Sequence, residues 1–291
     1  MRGYPKVVGT ATAPKKTETG RQTTKLVVRR TATITPHLIR ITAIPANPPE
    51  ISRFVGTGHS DNYVKIIFRQ DGVRYPEPFD MGRVRAEMPR EQWPTLRTYT
   101  LREVDPQSAE VVIDFVHHGD TGLAGPWAAK ARPGSELLVI GPGGGYSPDP
   151  TADWHLMVGD DAALPAISAS LAHVPSGMPV HVVLEVDGPE DHQHLDSPGQ
   201  LQVDWLHRGE HPGDPESLLV EHVRELAFPA GRVHAFVHGE TGSVKLLRRH
   251  LIGDRGLTAP QLSISGYWRR GHDDESHRAL KAAERDQVPA G

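Results

Sequence analysis

Short runs of alternating apolar and polar residues dominate the first half of the chain. The runs HLIRITAI, NYVKIIFRQ, LRTYTLREV and EVVIDFVHHG are separated by turn residues such as NPPE, QDG and DPQSAE. A period of two residues is typical of half-buried strands, and short strands at regular spacing predict an antiparallel barrel or sandwich. One helix is predicted among them at GLAGPWAAKA, from its Ala-rich spacing, and it ends before Pro133 and Gly134.

The pattern changes at DPTADWHLMVGD, where strand-like runs begin to alternate with helical ones. The strand-like runs are HLMVG, VHVVLEV, VHAFVHG and LSISGYW, and the helical ones are LPAISASLAH, PESLLVEHVREL and GSVKLLRRHLIGDRG. This alternation predicts a parallel sheet with right-handed crossovers. A further helix is predicted in the charged tail DDESHRALKAAERDQ. The strands end in VGDD, LEVDGPED, VHGETGS and SGYWRRG, and such polar ends are expected at a sheet edge that binds a ligand.

The two patterns divide the chain into three segments. Residues 1–25 are rich in Thr, Lys and Gly and lack a periodic apolar pattern, which predicts a mobile N-terminal arm. Residues 26–148 form the predicted β-barrel, and residues 149–291 form the predicted α/β domain with its C-terminal helix. A ligand is expected in the crevice between the two domains.

Composition and charge exclude several classes of protein. The chain has 291 residues, no cysteine and a formal net charge of −4. This charge argues against a nucleic-acid-binding protein, whose affinity depends on many phosphate contacts. The absence of cysteine excludes disulfides, cysteine nucleophiles and iron–sulfur clusters held by this chain, and His192 and His194 lack a third ligand, so no metal site is predicted. Because there is no apolar leader and no run of ~18 apolar residues, we expect a cytoplasmic protein without a membrane span.

A glycine-rich segment and an arginine suggest a diphosphate site in the first half. HHGDTGLAGPWAAKA places Gly119, Gly122 and Gly125 before or inside the first turn of the predicted helix. The N–H groups and the dipole of a helix start favour an anion, although a glycine-rich hairpin before an ordinary helix would have the same sequence. Arg97 in RTYTLREV supplies a planar cation suited to two phosphate oxygens. Together the two features favour a diphosphate, whereas RTYTLREV alone would also fit an edge strand.

Polar strand ends in the second half are candidates for a nucleotide site. The turn VGDD has only Gly159 of a dinucleotide fingerprint, and its Asp160 and Asp161 either cap a helix or line a reduced-nicotinamide site. Glu185 and Asp187 either bind ribose hydroxyls, which would favour NADH, or lie in a solvated loop.

Two further motifs follow the same regions. SGYWRRG ends a strand with Trp268, which either contacts a planar ligand or packs at the seam between the domains. GPGGGY lacks the Lys and Ser/Thr of a phosphate loop, so it is predicted to form a turn.

The order of these pieces resembles one family, the siderophore-interacting proteins, which are flavin-dependent ferric-siderophore reductases of the ferredoxin-reductase superfamily. The resemblance covers about residues 26–287 and is carried by RTYTLREVDPQSAEVVIDFVHHG, GPWAAKARPGSELLVIGP, VGDDAALPAI, HGETGSVKLLRRHLIGDRGL and SGYWRRG. It implies an antiparallel β-barrel that binds FAD, followed by an α/β parallel-sheet domain that binds NADH or NADPH. It also implies hydride transfer to FAD and reduction of iron(III) held by a ferric siderophore, which releases iron(II).

The resemblance assigns roles to individual residues. Arg97 would hold the FAD diphosphate, Tyr99 would pack on the flavin, and Thr100 would lie near the ring nitrogen that receives hydride, so Tyr99 and Thr100 are the catalytic candidates. Strict alternation places Tyr99 and Thr100 on opposite faces, so both reach one flavin only if the strand bends or Thr100 uses its N–H. The other cofactor-binding candidates are His118, Gly119, Gly122, Ala124, Trp127, Asp160, Asp161, Glu240 and Trp268. The basic candidates for binding an anionic siderophore, each of which would also fit a solvated surface charge, are Lys65, Arg269, Arg270 and Lys281.

Two alternatives stay open at this point. One is a related flavin reductase that acts on free flavin, a quinone or a protein partner. The other is a siderophore-binding protein without catalytic activity. The sequence specifies neither the siderophore nor the choice between NADH and NADPH, and a monomer is expected.

Overall fold

The computed structural model of the chain describes residues 23–209 and 218–271. The predicted arm lies outside the described residues, apart from residues 23–25, which belong to the first strand. The predicted helix in the charged tail, with Lys281, lies outside them as well. Among the helices of the described ranges, none combines the length and the apolar composition needed to cross a bilayer.

Seven antiparallel strands form the first sheet. They are β1 (Thr23–Thr35), β2 (Leu38–Pro45), β3 (Tyr63–Phe68), β4 (Thr95–Thr100), β5 (Glu103–Asp105), β6 (Glu110–Val116) and β7 (Glu136–Gly143). Their order across the sheet is β4-β3-β7-β1-β2-β6-β5. Two short helices accompany them, α1 (Met81–Glu87) and α2 (Ala124–Lys130), of which the sequence predicted only α2. Helix α1 was missed because it buries a single side chain, Val84, and therefore has no apolar stripe.

The first sheet curls until its two edges approach each other. The edge strands β4 and β5 are neighbours along the chain, and the N–H of Arg102 between them donates to the carbonyl of Val112 in β6 at 2.9 Å. No continuous ladder closes the barrel among the residues that the structure describes. The interior is apolar and fully buried at Leu26, Ile41, Ile66, Ile113 and Phe115. The predicted antiparallel domain is therefore confirmed as a rolled, incompletely closed sheet.

Five parallel strands form the second sheet. They are β8 (Trp154–Asp160), β9 (Pro179–Val186), β10 (Gln200–His207), β11 (Val233–Glu240) and β12 (Leu262–Trp268), in the order β10-β9-β8-β11-β12. Helix α3 (Leu164–Leu171) covers one face, and α4 (Leu218–Glu225) and α5 (Thr241–Arg249) cover the other. Both faces of β8 and β11 are buried, as is usual for a parallel sheet between helices. The predicted parallel α/β domain is confirmed.

The sequence-based prediction of this sheet lacked one strand, β10. It placed a helix directly between β9 and β11, whereas the chain first runs back through residues 187–199 without an α-helix and adds β10 at the edge. The alternation of Leu201, Val203 and Trp205 was the available signal, but no preceding helix marked it as a strand of this sheet. This omission matters because β10 delivers Arg208 to the ligand edge.

The order of the strands reverses between β8 and β11. The chain leaves β8 to build β9 and β10 on one side and then returns to build β11 and β12 on the other. At such a switch point the connections diverge and leave a crevice beyond the carboxyl ends of the strands, where ligands of open α/β sheets bind. Here those ends are Asp160 of β8 and Glu240 of β11.

Candidate functional site

Strand β4 places the RTYT motif on both faces of the first sheet. Arg97 pairs with Ile66 and Tyr99 pairs with Val64, and these two β3 residues are fully buried. Thr100 is the last residue of β4 and pairs with Tyr63. Tyr99 and Thr100 therefore lie on opposite faces of the sheet, as alternation predicted. Thr100 is also the last β4 residue that pairs with β3.

The side chain of Tyr99 begins a row of three aromatic rings. Its ring centroid lies 4.4 Å from that of Phe115 in β6, which lies 5.7 Å from that of Trp127 in α2. Phe115 is fully buried, whereas Tyr99 and Trp127 are partly exposed. Two residues that the sequence proposed for the cofactor thus share one aromatic surface, although they are far apart in sequence.

The glycine-rich segment between β6 and α2 is shaped by two left-handed residues. Gly119 has φ of 65° and Gly122 has φ of 83°, a region that residues with a side chain rarely adopt. No other part of the described protein lies within 4 Å of a Cβ added at either glycine, so the space beside this backbone is open. Gly125 differs, because an added Cβ would lie 2.9 Å from the carbonyl oxygen of Val116. It allows α2 to pack closely on β6, and Ala124 beside it is buried.

The two domains meet at a charged seam near this segment. The ring of His118 lies 5.7 Å from that of His37, and His37 Nδ1 lies 2.8 Å from Asp191 Oδ2 in the second domain. Burial lowers the pKa of His37, but the hydrogen bond and charge of Asp191 outweigh it, so the pKa is raised. The pKa of His118 is lowered because neighbouring groups displace its water, while the charge of Asp161 acts in the opposite direction.

Asp160 lies at the switch point and is 4% exposed. Its Oδ2 atom accepts hydrogen bonds from the indole Nε1–H of Trp268 and the N–H of Glu240, both at 2.8 Å. Its Oδ1 atom accepts from the N–H groups of Ala162 at 3.0 Å and Ala163 at 3.3 Å. Burial and the neighbouring charge of Asp161 raise the pKa of Asp160 to about 6.

Arg208 neutralises the acids at the ends of β8 and β9. It donates to Asp161 Oδ2 at 2.8 Å and to Glu185 Oε1 at 3.1 Å, and it lies 3.7 Å from Asp187. Glu185 also accepts from the N–H of Leu219, at 3.2 Å. Although burial opposes it, the charges and hydrogen bonds of these acids raise the pKa of Arg208. Glu185 is buried and committed to this ion pair, which leaves Asp187 as the more exposed acid of the two.

The end of β12 is fixed by the first turn of α5. Glu240 caps α5 by accepting from the N–H of Ser243 at 2.9 Å, and its other oxygen accepts from the N–H of Arg270 at 3.3 Å. The hydroxyl of Thr241 donates to the carbonyl of Trp268 at 2.7 Å. Arg269 and Arg270 follow directly and are half-buried.

The sequence candidates therefore fall into two groups, one in each domain. The first-domain group lies on β4, the glycine-rich segment and α2, and comprises Arg97, Tyr99, Thr100, His118, Gly119, Gly122, Ala124 and Trp127. The second-domain group lies around the switch point and comprises Asp160, Asp161, Glu240 and Trp268. Lys65 pairs with Thr98 in the β3–β4 ladder, two residues before the end at Thr100.

Two features of the candidate site were not predicted from the sequence. Arg208 was not predicted as a site residue because strand β10, which precedes it, was not predicted. The only signal in the sequence was the basic segment LHRG that contains it. The pairing of His37 with Asp191 joins residues 154 positions apart, for which a single sequence gives no signal. In residues 23–209 and 218–271, no three His, Asp or Glu side chains are grouped in a way that could hold a metal ion.

Comparison with known families gives one consistent result for both domains. Residues 27–146 match the siderophore-interacting FAD-binding domain, and residues 152–271 match the siderophore-interacting protein family. Together the two matches span both sheets of the structure.

Individual relatives agree with these matches. An uncharacterized protein of Mycobacterium tuberculosis is 38% identical over 90% of this chain and 95% of its own length. The ferric vibriobactin reductase ViuB of Vibrio cholerae is 39% identical over 68% of this chain and 73% of its own length. The crystal structure of the siderophore-interacting protein SipS from Aeromonas hydrophila is 30% identical, with a TM-score of 0.74 over 92% of this chain and 99% of that one.

More distant structures share the fold alone. The FAD/NAD-binding domain of a nitric oxide dioxygenase from Vibrio cholerae is 15% identical, with a TM-score of 0.58 over 84% of this chain and 98% of that one. The fold is therefore that of the ferredoxin-reductase-like FAD/NAD-binding proteins.

Proposed function

Because the chain belongs to the siderophore-interacting protein family, we propose that it is a flavin-dependent reductase of iron(III) held by a siderophore, with NADH or NADPH as its reductant. The observation that carries the proposal is the family match of both domains, which contact each other where His37 meets Asp191. The relative named as a ferric vibriobactin reductase supports the same reaction class.

The first domain has the features that FAD requires. Arg97 supplies a cation, and the backbone from Gly119 to Gly122 supplies N–H groups beside open space, which suits a diphosphate. The partly exposed rings of Tyr99 and Trp127 offer an apolar surface for an aromatic ring system. Thr100, at the end of the ladder, is proposed to lie beside the edge of the flavin that receives hydride.

The second domain is proposed to hold the nicotinamide nucleotide at its switch point. Asp160, Asp161, Glu240 and Trp268 lie there, at the carboxyl ends of β8, β11 and β12. FAD, when bound, supplies the redox chemistry, since it accepts a hydride and passes on single electrons. The protein positions the two cofactors and excludes water.

The substrate is proposed to bind on a basic surface beside the flavin. Ferric siderophores are often anionic, and Lys65, Arg269 and Arg270 are the described cations proposed to attract them, while Lys281 is proposed from the sequence alone. A siderophore holds iron(II) far more weakly than iron(III), so reduction releases the metal. No acid–base residue is needed for that step.

A visible absorption spectrum of the purified protein tests the proposal. We expect flavin bands that bleach on anaerobic addition of NADH or NADPH and return on addition of a ferric siderophore, with formation of iron(II). Faster turnover with free flavin, a quinone or a protein acceptor than with any ferric siderophore would favour a different reductase. A protein that binds ferric siderophore but no flavin would overturn the enzymatic proposal.

A cytoplasmic location and a monomeric state remain predictions from the sequence. Cell fractionation tests the first, and light scattering of the purified protein tests the second.

A further inference from the structure

The carboxylate of Asp160 joins the ends of three strands while remaining hidden from any ligand. Its two oxygens accept four N–H groups of the protein, from Ala162, Ala163, Glu240 and Trp268. With 4% of its surface exposed, Asp160 has no oxygen left to direct at a nucleotide. Its influence on a bound nucleotide must therefore pass through the groups it holds.

The backbone of β11 is shaped to admit this carboxylate. Gly239 has φ of 144°, and a Cβ added there would lie 2.6 Å from Asp160 Oδ2. Any residue with a side chain would be strained at this φ and would displace the carboxylate. The space that Asp160 occupies therefore explains why residue 239 is a glycine.

The indole of Trp268 is directed towards Asp160 by a break in the β11–β12 ladder. Gly239 pairs with Gly266, but the next pair joins Glu240 to Trp268, so that Tyr267 is skipped. An extra residue of this kind re-aims the side chains that follow it. The carbonyl of Trp268 is fixed as well, by the hydroxyl of Thr241. Trp268 is therefore fixed at two points, its backbone carbonyl and its indole N–H.

We propose that Asp160 is a positioning residue, which holds the indole of Trp268 in the orientation that receives the nicotinamide ring of the reductant. This inference rests on the proposed function, because it assumes that NADH or NADPH binds at the switch point. With both cofactors bound, the hydride would pass from the nicotinamide to FAD, and Asp160 would neither give nor take a proton in that step. The residue acts only by fixing the surface against which the ring lies.

The surroundings of Asp160 make this contact sensitive to pH. The charged and titratable groups around it are Asp161 of the same turn, Arg208 at the end of β10, and Tyr267 of β12. The carboxylate of Glu240 is turned away, towards the N–H groups of Ser243 and Arg270. A protonated Asp160 loses acceptor capacity on one oxygen, so acidification through pH 6 should weaken the bond to the indole.

Two substitutions separate the role of the hydrogen bond from that of the aromatic ring. Trp268→Phe keeps a ring and removes the N–H donor. Asp160→Asn replaces one of the two acceptor oxygens with an NH₂ group that cannot accept, so the side chain can no longer hold all four N–H groups. Trp205→Phe is the matched control, because Trp205 stacks on His192 at the edge strand. We expect both test variants to slow flavin reduction by about tenfold to a hundredfold, since a misplacement of about 1 Å costs this much, and the control to have no effect.

The hydrogen bond between Asp160 and Trp268 can be measured without turnover, by NMR of the indole ¹H–¹⁵N signals of protein labelled with ¹⁵N at tryptophan. The Trp268 signal, assigned by its loss in Trp268→Phe, should titrate near pH 6 and should shift and stop titrating in Asp160→Asn. Calorimetry with the unreactive oxidised nucleotides should show the same loss of affinity in both variants. In the double variant the effects should not add, because they act through one contact.

Three results would overturn the inference. The first is a Trp268 signal that is unchanged in Asp160→Asn. The second is normal flavin reduction in folded Trp268→Phe, and this test can be made even if Asp160→Asn fails to fold. The third is additive effects in the double variant. If the unsubstituted protein is not reduced by either nucleotide, the proposed function and this inference fail together, whereas normal reduction in both variants refutes the inference alone.

Discussion

Nδ1 of His37, in the first domain, lies 2.8 Å from Oδ2 of Asp191, in the second. The imidazole is partly exposed, whereas the side chain of Asp191 is 3% exposed. Asp187 lies 3.8 Å from the other ring nitrogen of His37. This contact ties the tight turn between β1 and β2 to the loop that replaces a crossover helix between β9 and β10.

His37→Ala should destabilise the protein because it leaves the buried carboxylate of Asp191 without its cationic partner. We expect a loss of about 1–3 kcal/mol in the free energy of unfolding, measured in urea. Because the folded pKa of His37 is raised, the contribution is complete below about pH 6.5 and is lost as the pH rises through the folded pKa. The difference between the unsubstituted protein and the variant should therefore shrink at alkaline pH.

The matched control for this prediction is His194, which lies with Asp191 in the loop between β9 and β10. His194 pairs with Asp196 at 2.8 Å, but both side chains are about 85% exposed. His194→Ala should change stability by less than about 0.5 kcal/mol, as exposed pairs contribute little. Equal losses in the two variants would show that the contact across the seam has no special role.

Arg208→Met should be among the most destabilising substitutions at the ligand edge. It removes the side-chain cation that the described structure places against Asp161 and Glu185, and leaves these two buried carboxylates without that cationic partner. We expect a loss of about 3–5 kcal/mol in urea unfolding. Arg224→Met, at an exposed position of α4, is the control. A loss below 1 kcal/mol in Arg208→Met would mean that these acids do not depend on Arg208.

The sequence was informative wherever function and fold depend on residues close together in the chain. The strand pattern, the α2 helix and the polar ends of β8, β11 and β12 follow from local periodicity and from strand-end composition. Family resemblance joined these pieces into a ferredoxin-reductase-like fold, which the matches to both domains confirm.

What escaped prediction depends on contacts between distant segments. No residue of the edge strand β10 is fully buried and no α-helix precedes the strand, so the sequence pattern that marks it was weak. The link from Asp160 to Trp268 spans 108 residues and depends on a ladder break and a glycine at φ of 144°. A single sequence identifies each of these residues as polar, aromatic or small, but it cannot show that they meet.

Protonation of His155 should limit stability in mild acid. This side chain is fully buried in β8, and burial, followed by the charge of His234, lowers its pKa to about 4. The unfolded chain takes up a proton near pH 6.5, so stability is lost as the pH falls from about 6.5 to 4, by up to about 3 kcal/mol. His155→Phe, which cannot be protonated, should flatten this part of the pH–stability curve, while exposed His173→Phe should not. Parallel curves for the unsubstituted protein and His155→Phe would contradict the prediction.

Arg97→Ala should lower the affinity for FAD without unfolding the first domain. A charge-assisted contact to phosphate contributes about 1.5–3 kcal/mol, so the Kd of the apoprotein for FAD should rise about 10- to 150-fold. The ratio of flavin to protein absorbance and the quenching of flavin fluorescence measure this effect. Arg132→Ala, at an exposed position after α2, should leave FAD binding unchanged. Full FAD occupancy in Arg97→Ala would remove Arg97 from the proposed diphosphate site.

Lys65→Ala should weaken the binding of an anionic ferric siderophore and leave the flavin content unchanged. Lys65 lies on the same face of the β3–β4 ladder as Thr100, because it pairs with Thr98, two residues before the strand ends. A cation at this position attracts an anion that approaches the proposed flavin edge, so KM should rise about tenfold at low ionic strength and less at high salt. Lys25→Ala, in β1, removes a cation already paired with Glu136 at 3.0 Å and is the control. If KM and its dependence on salt are the same in both variants, the substrate does not bind beside Lys65.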